Sequence, residues 1–272
     1  MIHEMQIRNY SERTIQRYVA SISKLTQFFN LPPEAITIHQ FKEFLHHLIS
    51  VDKASVSLVN QSISAFKILQ QDLLKRDWET IKVKRPRRER KLPEVLSVEE
   101  VAAMIKGTAN LKHRALITLA YSSGMRRREV KLIKPGHIDS KRMCVRVVSG
   151  KGKRDRFTLL SPRALELLRT YYSYYRPSTY LFEPSGKKDI PLSDTTLNNI
   201  VKQAAKRAVI KKGVSFHTLR HSFATHMLEK GINIRIIQQF LGHTSIKTTS
   251  VYLHIAQTNP MTVGSPLEDM DI

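Results

Sequence analysis

A single cysteine, Cys144, stands among 272 residues. That count excludes an intrachain disulfide and a cysteine-ligated metal cluster, and it fits a reducing compartment. Glycine and proline are sparse, at 10 and 11 residues, which argues against a low-complexity or collagen-like chain. No apolar run approaches the roughly 20 residues that a membrane-crossing helix needs. The opening MIHEMQIRNYSERT carries no apolar core of the secretory type. These absences lead to the expectation of a soluble cytoplasmic protein. Acidic residues are also few: 23 Asp and Glu face 45 Lys and Arg, a formal net charge of +22. Such an excess favours a polyanionic partner, because each neutralised phosphate releases condensed counterions. Nucleic acid is the first choice, which would place the protein at a prokaryotic nucleoid.

What remains is 41% hydrophobic, and the length allows one large or two ordinary domains with a substantial core. The clearest boundary is residues 82–95, KVKRPRRERKLPEV. Pro86 and Pro93 remove backbone donors and favour extended chain, so this stretch reads as a basic linker. Lys84, Arg85, Arg87 and Arg88 are its candidate phosphate contacts; a solvated charge run explains them equally well. Residues 1–81 read as a helical module. Ser11 caps a helix with apolar positions at Ile15, Tyr18, Ile22, Leu25 and Phe29, and further helices are expected over residues 37–49 and 55–74.

Residues 96–272 form the second expected domain. Ser97, with Glu100 three residues on, opens a helix. Residues 111–121 read as a buried helix ended by Gly124. Residues 142–148 and 154–160 read as paired strands around the turn SGKGK. Helices follow from Ser161-Pro162 and at about 194–209, 218–230 and 234–241. The expected class is therefore mainly α with a small antiparallel β-sheet (α+β).

Six residues in this second half form a chemical kit: Arg126, Lys151, His217, Arg220, His243 and Tyr252. Five side chains that can carry positive charge or donate hydrogen bonds accompany one phenol, which is what metal-free attack on a phosphodiester requires. Each has an ordinary explanation alone. Tyr252 could be a packed aromatic, Lys151 a solvated turn lysine, and His217 with Arg220 a surface pair, although their spacing puts both on one helix face. Gly242 looks like a helix stop that turns the chain so that His243 points off the end. Arg126 follows Gly124-Met125 at a helix start, where backbone N–H groups favour an anion. Arg127 and Arg128 fit phosphate contacts or exposed cations, and Glu129 fits an orienting partner of Arg126 or a surface ion pair.

The strings LSVEEV, SGMRRREV, SGKGKRDR, HTLRHSFATHMLEKG, QQFLGH and TSVYLHI together resemble the tyrosine recombinase (phage integrase) family, most closely its compact Xer-type and simple integrase members. Six motifs in order are specific where each alone is weak. The resemblance covers essentially the whole chain and is strongest over residues 96–255. It implies that Tyr252 is the nucleophile of a site-specific recombinase that forms a 3′-phosphotyrosyl link and passes through a Holliday junction. Arg126 and Arg220 would hold the phosphate, Lys151 would protonate the leaving oxygen, His217 would assist proton transfer, and His243 would hydrogen-bond the phosphate. Lys153 joins the expected DNA contacts. No metal or other cofactor is implied. The implied partners are double-stranded DNA with an inverted-repeat core site and a homo-tetramer on synapsed duplexes, with a second recombinase or accessory protein as a further candidate. The resemblance also implies a C-terminal tail that docks on a neighbouring protomer. Three rival readings stand beside this one: a type IB topoisomerase-like nicking activity, a non-cleaving DNA-binding regulator on the same fold, and a metal nuclease built from His217, His221 and His226.

Overall fold

The computed structural model describes residues 1–78, 83–86, 92–148 and 155–256. Lys151, Lys153, Arg87 and Arg88 lie outside them, as does the tail after residue 256. The chain divides into two compact units, Met1–Arg90 and Lys91–Ile272.

The first unit is helical. Its helices are α1 (Ile2–Ile7), α2 (Glu12–Phe29), α3 (Ile38–Ser50) and α4 (Val56–Lys67). Helix α4 widens into a π-helical turn over Ile68–Leu73. Ser11, Thr37 and Ser55 each accept from a backbone N–H three residues on, meeting donors that a helix start leaves orphaned. The three-to-four spacing then brings Leu25, Phe41, Phe44, Leu48, Val59, Ile63 and Phe66 into one buried cluster. Phe41 and Phe66 stack there with ring centroids 3.9 Å apart. Helix α1 was not legible as an element; it is held by Met5, fully buried against Ile15 and Ile68. Lys84 is exposed, whereas the Arg85 guanidinium donates to the Asn60 carbonyl at 2.9 Å and to Ser64 Oγ at 3.0 Å. Arg85 is thus tied to α4 although its side chain also faces solvent.

The second unit begins with α5 (Val98–Lys106), opened by the Ser97–Glu100 capping box, and α6 (Leu111–Ser123). Ala115, Leu116, Ile117, Leu119 and Ala120 are all buried, so α6 is enclosed rather than amphipathic. Leu116, Ile117 and Leu119 each contribute about 1.5–3 kcal/mol by leaving water. A short α7 (Arg127–Lys131) follows, then three antiparallel strands in the order β1 (Ile138–Asp139), β2 (Cys144–Val147) and β3 (Arg156–Leu159). Val147 pairs with Arg156, so the expected hairpin is present and the connection bearing Lys151 leaves from that pair. Strand β1 and helix α7 are too short for a periodicity to show.

Helices α8 (Pro162–Tyr175), α9 (Asp194–Arg207), α10 (Phe216–Glu229), α11 (Ile234–Leu241) and α12 (Ile246–Thr249) complete the unit, with a 3₁₀ turn over Ser250–His254. Helix α10 starts at Phe216, two residues earlier than expected, which puts His217 in its first turn. Two glycines set the close approaches that build the site. Gly124 ends α6 with φ 60°, and a Cβ there would collide with the Phe223 ring of α10. Gly242 ends α11 with φ 63°, and a Cβ there would sit 2.7 Å from the Arg156 side chain. Only glycine meets both the left-handed backbone and the missing space. Among the described residues no helix is long and apolar enough to cross a membrane.

Candidate active site

Helix α10 supplies the centre of the site. Its Arg220 is 4% exposed, yet it carries a charge that burial alone would penalise. The guanidinium is stabilised by three contacts: the Gly124 carbonyl at 2.7 Å, the Leu241 carbonyl at 2.6 Å and His243 Nε2 at 2.9 Å. Burial, followed by the nearby Arg126, pushes its pKa down to about 9, still ionised at neutral pH. Arg220 therefore ties the end of α6 to the end of α11, two segments far apart in sequence.

Arg126 is the N-cap of α7. Its backbone N–H and one guanidinium nitrogen both donate to Glu129, at 2.7 and 2.9 Å, and a second guanidinium nitrogen donates to the Gly242 carbonyl at 2.9 Å. Its side chain keeps 28% of its surface open, so Arg126 faces outward where Arg220 is enclosed. A guanidinium has five N–H donors. Arg126 spends two of these on the contacts above, and Arg220 three. Of the neighbouring arginines, Arg127 pairs with Asp194 at 3.5 Å, and Arg128 is exposed.

His243 sits just past Gly242, as the helix stop suggested. Its Nε2 accepts from Arg220, because an arginine can only donate, so its proton resides on Nδ1, 2.9 Å from Thr249 Oγ1. Burial, reinforced by Arg220 and Arg126, drives His243 down to about 3. It is a neutral imidazole at physiological pH. His217 is exposed on the first turn of α10, with its ring centroid 6.4 Å from that of His221.

Tyr252 is 2% exposed, and its hydroxyl shares a 2.9 Å hydrogen bond with His221 Nδ1. Its ring packs among Phe223, Ala224, Ile237 and Leu241. Burial raises the phenol pKa, with Arg220 and Arg126 pulling the other way. Burial, His217 and Arg220 lower His221 to about 4. At neutral pH the pair is therefore a phenol beside an uncharged imidazole. The structure thus gathers Arg126, Arg220, His243 and Tyr252 into one site, with His217 beside it. The histidines of the metal-nuclease reading do not converge. His221 turns to Tyr252, and His226 shares a 2.8 Å bond with Tyr121. Among the described residues no three metal-ligating side chains meet.

Residues 94–259 match the phage integrase family, and residues 1–80 match the phage integrase N-terminal SAM-like domain. The chain belongs to the phage integrase family. An integrase/recombinase of Sinorhizobium fredii (strain NBRC 101917 / NGR234) is 35% identical over 98% of this chain and 87% of its own length. The tyrosine recombinase XerD of Staphylococcus saprophyticus is 32% identical over 92% of this chain and 90% of its own length. The crystal structure of the XerH site-specific recombinase bound to palindromic difH substrate, a post-cleavage complex, superposes with a TM-score of 0.73. It covers 97% of this chain and 83% of that one; at 22% identity this likeness is one of fold.

Two members of this integrase's site escaped the sequence reading. His221 was weighed as a metal ligand; its adjacency to Arg220 was the available signal, but nothing in sequence pairs it with a tyrosine 31 residues away. Arg156 was seen only as part of a strand. It donates to both Glu129 oxygens at 2.7 Å and through Nε to the Phe240 carbonyl at 2.8 Å. Glu129, left between two readings, is an orienting partner of Arg126, 10% exposed. Burial raises its carboxyl pKa, but Arg156 and then Arg126 outweigh that and hold it at about 2.

These shifts give the integrase a direction of acid sensitivity. His221 and His243 bind protons below about 6.5 once unfolded, but in the fold only near 4 and 3. Their contribution is present above pH 6.5 and is lost progressively as pH falls toward those values; Glu129 adds a loss from about 4.5 toward 2. The melting temperature of the chain is expected to fall steadily from pH 7 to pH 4. Each histidine accounts for about 1–2 kcal/mol at pH 5, discounted for partial solvent exposure. His243→Gln should flatten that slope; equal slopes in calorimetric scans of both proteins would contradict the assignment.

Proposed function

We propose that the chain is a site-specific DNA recombinase whose nucleophile is Tyr252. The phenolic oxygen attacks a phosphodiester phosphorus, forming a 3′-phosphotyrosyl bond and breaking the bond to the 5′ oxygen. The 5′ hydroxyl of an exchanged strand then attacks the same phosphorus and releases Tyr252. One phosphoester replaces another at each step, so rejoining needs no ATP. Arg126 and Arg220 hold the non-bridging oxygens and offset the charge gained in the transition state. Lys151 delivers the proton to the departing 5′ oxygen. It lies five positions before Arg156, a reach of at most about 18 Å. His217 takes the tyrosine proton, and His243 completes the phosphate pocket once Arg220 turns to substrate.

The observation that carries this reading is the meeting of Tyr252 with Arg220 through adjacent α10 residues. The hydroxyl bonds His221, and the residue just before it on α10 is the arginine that Arg126 flanks. Residues 1–81 act as the core-binding module. Residues 82–95 link it to the catalytic domain along the phosphate backbone, through Lys84, Arg85, Arg87 and Arg88, with Lys153 a further contact. An inverted-repeat site seats two protomers, and exchange between two duplexes needs two such sites, hence a tetramer and a Holliday junction.

The test incubates the protein with suicide duplexes carrying candidate inverted repeats, with EDTA throughout. A covalent protein–DNA band on a denaturing gel, its peptide bearing Tyr252, supports the reading. Tight binding without any adduct favours the non-cleaving regulator, and relaxation of supercoiled DNA without strand exchange favours the topoisomerase.

Tyr252 has to leave His221 before it can reach a phosphate. His221→Leu removes a bond worth about 0.5–1.5 kcal/mol, so it is expected to speed single-turnover adduct formation by about 2–10-fold. His217→Leu is expected to slow it. A slower His221→Leu protein would make His221 the proton acceptor instead.

A further inference from the structure

Helix α11 ends with carbonyls that have no partner within the helix and that lie at the negative pole of its dipole. Three successive carbonyls there are each taken by a different arginine. Arg156 donates to Phe240, Arg220 to Leu241 and Arg126 to Gly242. Two of these arginines are the expected phosphate ligands; the third has no role in the chemistry above. Arg156 also makes both bonds to Glu129, which in turn holds Arg126 by two bonds. With Nε and both terminal nitrogens directed at protein oxygens and a side chain only 10% exposed, Arg156 is poorly placed to meet a phosphate itself.

We propose that Arg156 is a positioning residue for DNA cleavage, fixing Arg126 through Glu129 and fixing the end of α11, and with it His243, through the Phe240 carbonyl. The assignment rests on the recombinase reading for its activity, but its geometry is independent of it. A planar fork that serves two carboxylate oxygens and a carbonyl at once is a task for arginine. Lysine, with one ammonium, reaches one of these acceptors. The charged groups facing Glu129 are Arg126 on its own turn, Arg156 from β3 and Arg220 from α10. Without Arg156, the buried carboxylate loses its principal counter-charge and takes up a proton at a milder pH. Arg126 then loses its charged partner.

The test compares wild type, Arg156→Gln, Arg156→Lys and the double variant Arg156→Gln/Glu129→Gln in single-turnover cleavage of a suicide duplex. Rates are taken from about pH 5 to pH 8, with DNA affinity measured on native gels. Arg156→Gln is expected to cleave on the order of 10–100-fold more slowly, as loss of a supporting partner around a site does, with DNA affinity unchanged. Its rate should fall toward acid pH more steeply than that of wild type, an extra loss that the double variant abolishes. Arg156→Lys should recover part of the rate and remove part of the extra loss. Wild-type rates in Arg156→Gln would overturn the proposal. So would a loss that is the same at every pH and tracks weaker DNA binding, since Arg156 would then be an ordinary phosphate contact. If Arg156→Gln does not fold, Arg156→Lys alone carries the comparison. A titration of ¹³C-labelled glutamate in the DNA-free proteins separates the two readings. Absence of an adduct in wild type counts against the recombinase reading, whereas an unmoved Glu129 titration in the variants counts against the role of Arg156.

Discussion

Tyr252→Phe is expected to give no covalent adduct on any duplex while binding DNA as tightly as wild type. The substitution removes one oxygen and leaves the ring among Phe223, Ala224, Ile237 and Leu241. The packing that positions the 3₁₀ turn is therefore retained. What the fold loses is a single hydrogen bond to His221, about 0.5–1.5 kcal/mol. The chemistry loses its nucleophile, and removal of a residue in that role costs at least on the order of 10³ in rate. The two readouts thus separate: a melting curve close to wild type beside a blank denaturing gel. An adduct that survives in the Phe variant would mean that another side chain attacks, and the assignment of Tyr252 would fall.

The second large effect is expected from Arg220→Lys. The change keeps the charge, so a purely electrostatic role would tolerate it. Arg220, however, spans the carbonyls of Gly124 and Leu241 and still reaches His243. An ammonium on a flexible stem cannot reproduce that planar fork. Loss of a preorganised donor at a transition-state charge costs on the order of 10²–10³ in single-turnover cleavage. A buried carbonyl left without its donor costs about 1–3 kcal/mol of stability in addition. Cleavage and thermal melting measured on the same preparation would show both losses. A variant that cleaves within about threefold of wild type would show that position 220 supplies charge alone.

The legible parts of this protein were those written in local chemistry. Caps at Ser11 and Ser97, and helix starts near residues 37, 55 and 161, were readable because a short polar side chain before an apolar period has one main use at a helix start. The stop at Gly242 was readable for the same kind of reason, and it correctly set His243 beyond a helix end. The order of the six motif residues placed the family. What was not legible depends on non-local meetings. The partners of Glu129 come from its own turn and from a strand residue 27 positions on, and His221 meets a tyrosine 31 positions on. Arg85 looked like a free linker cation, but it is bonded to Asn60 and Ser64, whose side chains and carbonyls carry no outward sign of it. Elements of two to six residues, β1 and α1 among them, offer too few positions to display a period.

The burial of Tyr252 bears on how such an enzyme meets DNA that is not its target. A phenol withdrawn from the surface and hydrogen-bonded to an uncharged histidine is harmless to the many non-cognate duplexes that a strongly basic protein must touch in its search. Contact with DNA and injury to DNA become separate events. The first follows from net charge and occurs everywhere; the second requires the 3₁₀ turn to give up its packed place, which random phosphates offer no reason to do. With Tyr252 as the proposed nucleophile, fidelity would be set partly by where that residue rests when it is idle.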